Sequence, residues 1–140
     1  MKKGIDYIGV GVGGAIINDN KEILLFLRNK DPENGFWSIP GGSVEYGESV
    51  ENALVRELYE ELGVKVEIIS LLGVANHIIK EKGSHWVSPE FHVKIVSGTP
   101  KNMEIEKHTK MLWFSLDKLP EKLAIPAVVA IEGYKRIYNK

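Results

Sequence analysis

Residues Gly41 to Val64 carry the most informative pattern in the chain and read GGSVEYGESVENALVRELYEELGV. The second half of this stretch predicts a helix over 50–62, because Ser49 is a good N-cap, no Gly or Pro interrupts the run, and Gly63 supplies a C-terminal stop. At about 100° per residue, four apolar side chains form one stripe that faces a core. They are Val50, Leu54, Leu58 and Leu62.

Three carboxylates, Glu57, Glu60 and Glu61, share a sector of the same predicted helix beside the apolar stripe. Like charges three or four residues apart repel by roughly a few tenths of a kcal/mol per pair, so we expect a cation there. Converging carboxylate oxygens suit Mg²⁺, with Mn²⁺ as a substitute. Arg56 lies one turn before Glu60, where it can pair with a carboxylate and fix its position.

The glycine pair Gly41-Gly42 permits a tight turn that brings Glu48 and the helix near one point. We therefore group Gly41 with the metal-binding residues, and Gly42 and Glu48 with the substrate contacts. These parts together suggest metal-assisted attack of water on a phosphoanhydride. A solvated acidic helix is the alternative, and it explains neither the glycines nor Arg56.

The stretch resembles the Nudix box, the signature of the Nudix (MutT-like) hydrolases. All seven fixed identities and both aliphatic positions are present: Gly42, Glu48, Arg56, Glu57, Glu60, Glu61 and Gly63, with Leu58 and Val64. The resemblance implies an α/β/α sandwich with a mixed β-sheet flanked by helices, and hydrolysis of a nucleotide phosphoanhydride. It also implies that Glu57, Glu60 and Glu61 bind Mg²⁺.

Outside the box, the Gly/Val-rich start, the segment MEIEKH at 103–108 and the segment WFSLDKLP at 113–120 look like the nucleoside triphosphate diphosphatase branch. A Glu-x-Glu-Lys loop lies close to the box helix in that branch. The resemblance therefore implies Glu106 as an additional metal-binding and catalytic carboxylate, with Glu104 in reserve. We assign catalysis to Arg56, Glu60, Glu61 and Glu106, and we leave the identity of the general base open.

The amino-acid composition limits the possible functions further. A chain of 140 residues that is 44% hydrophobic and 26% charged predicts a single domain over 1–140. The net charge of −1 gives no basic excess for long nucleic acid, and the absence of cysteine excludes disulfides, Cys-ligated zinc and thiol catalysis. No apolar run approaches a membrane span, so we expect a cytoplasmic protein. The resemblance is also compatible with a homodimer.

Strands flank the predicted box helix on both sides. The first two strands are expected to pair as a hairpin, and strands at 66–79 and 85–96 form a second hairpin with a kink at 70–73. A C-terminal helix has Pro126 in its first turn and is weakened by Gly133. The other predicted elements are strands at 7–17, 22–28, 36–40 and 111–116, a loop at 31–35 and the helix at 127–138.

Several residues outside the box are candidates for substrate contact. Arg28 either reaches a phosphate or is a solvated side chain, and Trp37 either stacks on a base or packs in the core. The spacing of His85 from His77 and His92 fits no common zinc pattern, so we expect it at the surface or against the substrate. The glycines of the first strand indicate either close packing or a ligand lying over the strand.

The substrate class is the least determined property. Relatives that hydrolyse ADP-ribose often carry a proline shortly after the box, whereas 65–88 contains none. We therefore expect a nucleoside triphosphate, cleaved to the monophosphate and pyrophosphate. The alternative substrate is a nucleoside diphosphate linked to another group, such as ADP-ribose or a nucleotide sugar. A non-catalytic nucleotide-sensing module is the third hypothesis.

Overall fold

Two β-sheets and two long helices make up the protein in this computed structural model, which describes residues 1–30 and 33–138. The predicted loop at 31–35 therefore lies partly outside the described residues. None of the helices in these ranges is long and apolar enough to cross a membrane. The elements are β1 (Gly9–Ile16), β2 (Glu22–Arg28), β3 (Trp37–Ser38), β4 (Gly41–Ser43), α1 (Val50–Leu62), β5 (Lys65–Ile79), a 3₁₀ turn (Lys80–Lys82), β6 (Ser84–Ser97), β7 (His108–Ser115) and α2 (Ile125–Tyr138).

The larger sheet is mixed and has the strand order β4-β1-β6-β5. Strand β1 runs parallel to β6 and antiparallel to β4, and β5 and β6 form an antiparallel hairpin. The smaller sheet, β3-β2-β7, is antiparallel. The predicted mixed sheet flanked by helices is thus confirmed. The second hairpin is confirmed as well, and so is its kink, since the register of β5 shifts at 68–70 and at 71–73.

The predicted hairpin of the first two strands is wrong, because β1 and β2 lie in different sheets. Within the described ranges, a single antiparallel bridge from Ile17 to Ile23 joins their ends. Both edges of β1 are already paired, one with β4 and the other with β6. Apolar patterning identifies a strand and its buried face, but it does not determine which strand pairs with it.

Helix α1 has the bounds and caps that the sequence predicts. The Oγ of Ser49 accepts a hydrogen bond from the N–H of Asn52 at 3.1 Å, and Gly63 adopts a φ of 71° at the C-terminus. The leucines of the apolar stripe are fully buried in a core shared with β1, β2 and β6: Leu54, Leu58 and Leu62. The helix rests on the sheet through this stripe and carries its carboxylates at the edge of the contact.

Helix α2 covers the opposite face of the sheet, where Ile131 belongs to a second core. It begins at Ile125, two residues before the predicted start, with Pro126 in its first turn. A Cβ at Gly133 would overlap the carbonyl group of Leu72 in β5. The glycine that weakens the helical pattern therefore lets the helix approach the sheet closely.

Replacing Leu58 by Ala should lower the free energy of unfolding by about 2–5 kcal/mol, because removal of the buried side chain leaves a cavity between α1 and the sheet. Tyr59→Ala is the matched control on the same turn, since that side chain is 62% exposed. Urea denaturation of both variants measures the difference. Equal losses in the two variants would contradict the packing described here.

Candidate active site

A cleft of about 650 Å³ opens between the two sheets, and α1 and the segment before β7 close one end of it. Gly11 and Gly13 of β1 contribute to its floor, and Glu57 and Glu61 of α1 face it. Cationic side chains from several segments line the same cleft: Lys3, Arg28, Lys30, Lys82 and Lys107. Its walls therefore combine carboxylates with the positive charge that a phosphorylated ligand needs.

Glu61 is the centre of the acidic end of the cleft. Only 4% of its surface is exposed, and its Oε1 accepts a hydrogen bond from the N–H of Gly41 at 2.8 Å. The Nε2 of His108 lies 3.8 Å from its Oε2. Glu61, Glu104 and His108 each offer one ligand atom, and these three atoms lie within 4.8 Å of one another.

Backbone hydrogen bonds bring Glu104 to this cluster. The last turn of a helix leaves carbonyl groups without helical partners, and the segment after β6 satisfies two of them. The N–H of Lys101 donates to the carbonyl of Leu62 at 3.0 Å, and the N–H of Met103 donates to the carbonyl of Glu61 at 2.9 Å. The segment after β6, which binds the C-terminal carbonyl groups of α1, thus places Glu104 beside the carboxyl group of Glu61.

The environment of the cluster shifts its protonation equilibria. Burial raises the pKa of Glu61 well above its usual value against the hydrogen bond from Gly41, and the charges of Glu57 and Glu104 add to the rise. Burial likewise raises the pKa of Glu57, against the opposing effect of Arg56. Burial lowers the pKa of His108 to about 4. The imidazole is therefore neutral near pH 7, as a metal ligand must be.

Arg56 neutralises the other carboxylates of the box. Its guanidinium donates to both oxygens of Glu48, at 2.6 and 3.0 Å, and also to Glu57 at 2.9 Å and Glu60 at 3.1 Å. A further hydrogen bond at 3.1 Å reaches the carbonyl of Ser43. The hydrogen bonds from Arg56 lower the pKa of Glu48 to about 2. The expected pairing of Arg56 with a carboxylate is confirmed.

The residues at this end of the cleft fit a divalent cation. Glu57, Glu61 and Glu104 repel one another across a partly buried space, and such a set is stabilised by a bound positive charge. Gly42 lies against this set, because a Cβ there would overlap the carboxylate of Glu57. The glycine keeps β4 close enough for its backbone to face the carboxylates.

The structure separates the predicted catalytic residues into two groups. Glu61 lies inside the cluster with Glu104, the carboxylate held in reserve. Glu60 is half exposed and bonded to Arg56, and Glu106 is exposed and lies outside the cluster. The spacing of the Glu-x-Glu-Lys loop could not show which of its two carboxylates joins the cluster. That depends on which backbone N–H groups of the segment bind the C-terminal carbonyl groups of α1.

The predicted substrate contacts also separate. Arg28 and Gly42 line the cleft, whereas Glu48 is held by Arg56. Trp37 packs edge-to-face on a phenylalanine of the second core, with ring centroids 4.8 Å apart, and is not among the cleft-lining residues. His85 is likewise absent from the lining, although both of its neighbours on β6 belong to it.

The glycines of β1 make room for side chains of β6. A Cβ at Gly9 would overlap the indole of Trp86, and a Cβ at Gly13 would overlap the Oε1 of Glu90. Gly11 lies between them on the cleft floor. Close packing, one of the two alternatives that the sequence left open, is therefore present, and Gly11 and Gly13 also line the cleft.

Two functional candidates escaped the sequence analysis. His108 stacks on Phe26, with ring centroids 4.1 Å apart, and joins the acidic cluster. Glu90 is completely buried on β6, and its Oε2 accepts a hydrogen bond from Ser88 at 2.6 Å. The available signal for Glu90 was that it is the single carboxylate in β6, next to the apolar Phe91. For His108 the sequence offered only its place beside the Glu-x-Glu-Lys loop.

Arg56→Ala should lower the free energy of unfolding by about 1–3 kcal/mol in metal-free buffer, since it leaves the partly buried Glu48 and Glu57 without their charged donor. Arg56→Lys should cost less because it keeps the charge and loses only the forked geometry. Lys94→Ala is the control, because its ion pair with Glu67 is exposed and 3.9 Å long. The assignment fails if denaturation curves show equal losses for Arg56→Ala and Lys94→Ala.

Glu90 should make stability depend on pH. Burial raises the pKa of Glu90 to about 8 from 4.5, so the folded state holds a proton that the unfolded state releases. Stability should therefore fall between about pH 5 and 8 relative to Glu90→Gln, by on the order of a few kcal/mol. Urea denaturation across this range measures the difference. A gap between the two proteins that stays constant with pH would rule out the shift.

Comparisons with known proteins agree with this geometry. The model of the NUDIX domain matches residues 8–132. An ADP-ribose pyrophosphatase of Methanocaldococcus jannaschii is 39% identical over 130 residues, which cover 93% of this chain and 75% of that protein.

Solved structures give the same result. The crystal structure of a MutT NUDIX hydrolase from Burkholderia pseudomallei matches with a TM-score of 0.86 and 41% identity, covering 91% of this chain and 98% of that one. The crystal structure of the MutT protein from Methanosarcina mazei matches with a TM-score of 0.81 and 26% identity, covering 95% and 96%. With the box residues around the acidic cluster and both comparisons in agreement, this chain belongs to the Nudix family of hydrolases.

Proposed function

We propose that this protein hydrolyses the diphosphate bond of a small nucleotide with the help of a divalent cation, Mg²⁺ or Mn²⁺. The observation that carries the proposal is the cluster of Glu61, Glu104 and His108, two of them buried, at one end of a cleft that also contains cationic side chains. Carboxylates alone would repel a phosphate. A cation held among them removes this repulsion and leaves Arg28 and Lys107 to contact the remaining phosphate oxygens.

Glu57, Glu61 and Glu104 are the oxygen donors that we assign to the metal, and His108 is an available nitrogen donor. Glu60 and Glu106, which are exposed, remain candidates, and Gly41 lines the same cleft. When bound, the cation supplies Lewis acidity and lowers the pKa of an attacking water. Any carboxylate of the cluster can act as the general base that accepts a proton from this water.

The substrate class that we place first is a nucleoside diphosphate linked to a second group, of which ADP-ribose is the example. The 39% identical relative carries the name of an ADP-ribose pyrophosphatase, and the match covers nearly all of this chain. The cleft also continues past the cluster to Glu33, His77 and Lys82, which leaves room for a group on each side of the diphosphate.

A nucleoside triphosphate is the second substrate candidate. The resemblance of the loop and of the first strand to the triphosphate diphosphatase branch supports it. The two candidates share the chemistry at the cluster and differ in the leaving group. Water attack on ADP-ribose yields AMP and ribose 5-phosphate, whereas attack on a triphosphate yields the nucleoside monophosphate and pyrophosphate.

Hydrolysis of ADP-ribose, nucleotide sugars and nucleoside triphosphates with Mg²⁺ tests the proposal when the products are resolved by chromatography. We expect ADP-ribose or a related compound to have the highest kcat/KM. Chelation of the metal should abolish activity, and added Mg²⁺ or Mn²⁺ should restore it. A preference for triphosphates would replace the first substrate class by the second, and no turnover in either metal would favour the nucleotide sensor.

Glu61→Gln should reduce kcat by about 100-fold or more while the protein stays folded, because it removes the buried carboxylate at the centre of the cluster. Glu132→Gln makes the same chemical change on the exposed side of α2 and serves as the control. Circular dichroism verifies the fold of both variants. Wild-type turnover by Glu61→Gln would remove this residue from the proposed site.

A further inference from the structure

Glu90 lies on the cleft floor in line with the acidic cluster. Gly13 of β1 pairs with Gly41 of β4 on one side and with Glu90 of β6 on the other. Neighbouring strands are about 4.8 Å apart, so the Cα of Glu90 lies about 10 Å from the Cα of Gly41. The N–H of Gly41 donates a hydrogen bond to Glu61, so Gly41 lies beside the acidic cluster. A nucleotide whose phosphates lie at the cluster therefore reaches Glu90 with its nucleoside.

The carboxyl group of Glu90 is only half satisfied. Its Oε2 accepts the hydrogen bond from Ser88, but its buried Oε1 has no hydrogen-bond partner among the described residues. A buried polar atom without a partner costs free energy, and an apolar side chain would avoid this cost at a strand position facing the second core. Both Oε1 and the end of the Ile39 side chain occupy the space above Gly13.

The surface next to Glu90 suits a flat ring. Trp86 lies on the same face of β6, four residues earlier, with its indole over Gly9. Gly11 lies between the indole and the carboxyl group and lines the cleft, with Ser88 of β6 beside it. A glycine-lined floor between an aromatic side chain and a hydrogen-bonding group fits an aromatic ligand with a polar edge, and a nucleobase is such a ligand.

We propose that Glu90 determines which nucleobase the cleft accepts, through a hydrogen bond from Oε1 to the polar edge of the base. This inference rests on the proposed function, since the cluster must hold the phosphates. Because burial raises the pKa of Glu90 to about 8, the carboxyl group offers both an O–H donor and an acceptor near pH 7. A base with a complementary edge satisfies Oε1, and a mismatched base leaves it unpaired.

The test compares Glu90→Gln, which keeps one donor and one acceptor, with Glu90→Met, which has similar length and no hydrogen-bonding group. We would measure kcat/KM for nucleoside diphosphate sugars that differ only in the base, and for the four ribonucleoside triphosphates. Glu90→Met should lose about 10- to 100-fold for the preferred base, and its ratio between bases should approach one. Glu90→Gln should keep a base preference.

Glu67→Met on β5 is the control, since its side chain is 62% exposed. Thermal melting establishes that each variant is folded. Ser88→Ala, which removes the hydrogen bond that orients the carboxyl group, provides a second test and should also change the ratio between bases. An unchanged ratio in folded Glu90→Met, or in Ser88→Ala if Glu90→Met does not fold, overturns the proposal.

Calorimetric titration of the four nucleoside monophosphates measures the same selectivity without turnover. Selective binding that Glu90→Met abolishes, in a protein that hydrolyses nothing, would support the role of Glu90 and reject the proposed hydrolysis. Turnover by the wild type without discrimination between bases would keep the hydrolysis and reject the role of Glu90. The two proposals therefore fail separately.

Discussion

The buried carboxyl group of Glu61 is the constraint on which the arrangement of the site depends. It sits on α1 next to the apolar stripe, and a group of this kind needs donors or cations around it. The N–H of Gly41 provides one donor, so β4 has to approach the helix to within a hydrogen bond. That approach requires glycine at 41 and 42, since side chains there would overlap Val12 and Glu57.

The carboxylates of α1 and of the loop before it are stabilised in two different ways. Glu48, Glu57 and Glu60 share the guanidinium of Arg56, whose hydrogen bonds fix their positions. Glu61 is held instead by a backbone N–H and faces Glu104 across the cleft. One helix thus carries charges that the protein itself neutralises beside charges that suit an external cation, and Glu57 takes part in both sets.

Local features were predictable from the sequence, and long-range placements were not. The caps of α1 and its leucine stripe follow from neighbouring residues, so they appear as predicted. The partner of β1, the choice between Glu104 and Glu106, and the cavity filled by Glu90 depend on segments distant in the chain. Gly133 illustrates the same limit. The glycine allows α2 to contact β5 closely, and helix propensity does not reveal such a contact.

Strand β5 lies at the edge of the larger sheet, and two of the three register shifts in its pairing with β6, at 68–70 and at 71–73, bear on self-association. A regular edge strand presents evenly spaced N–H and C=O groups that a second chain can continue. The extra residues in β5 break this spacing and strengthen the local twist. Exposed apolar side chains such as Ile69 and Leu71 flank the interruption. The irregular edge therefore protects a long, partly apolar strand against extension of the sheet into aggregates.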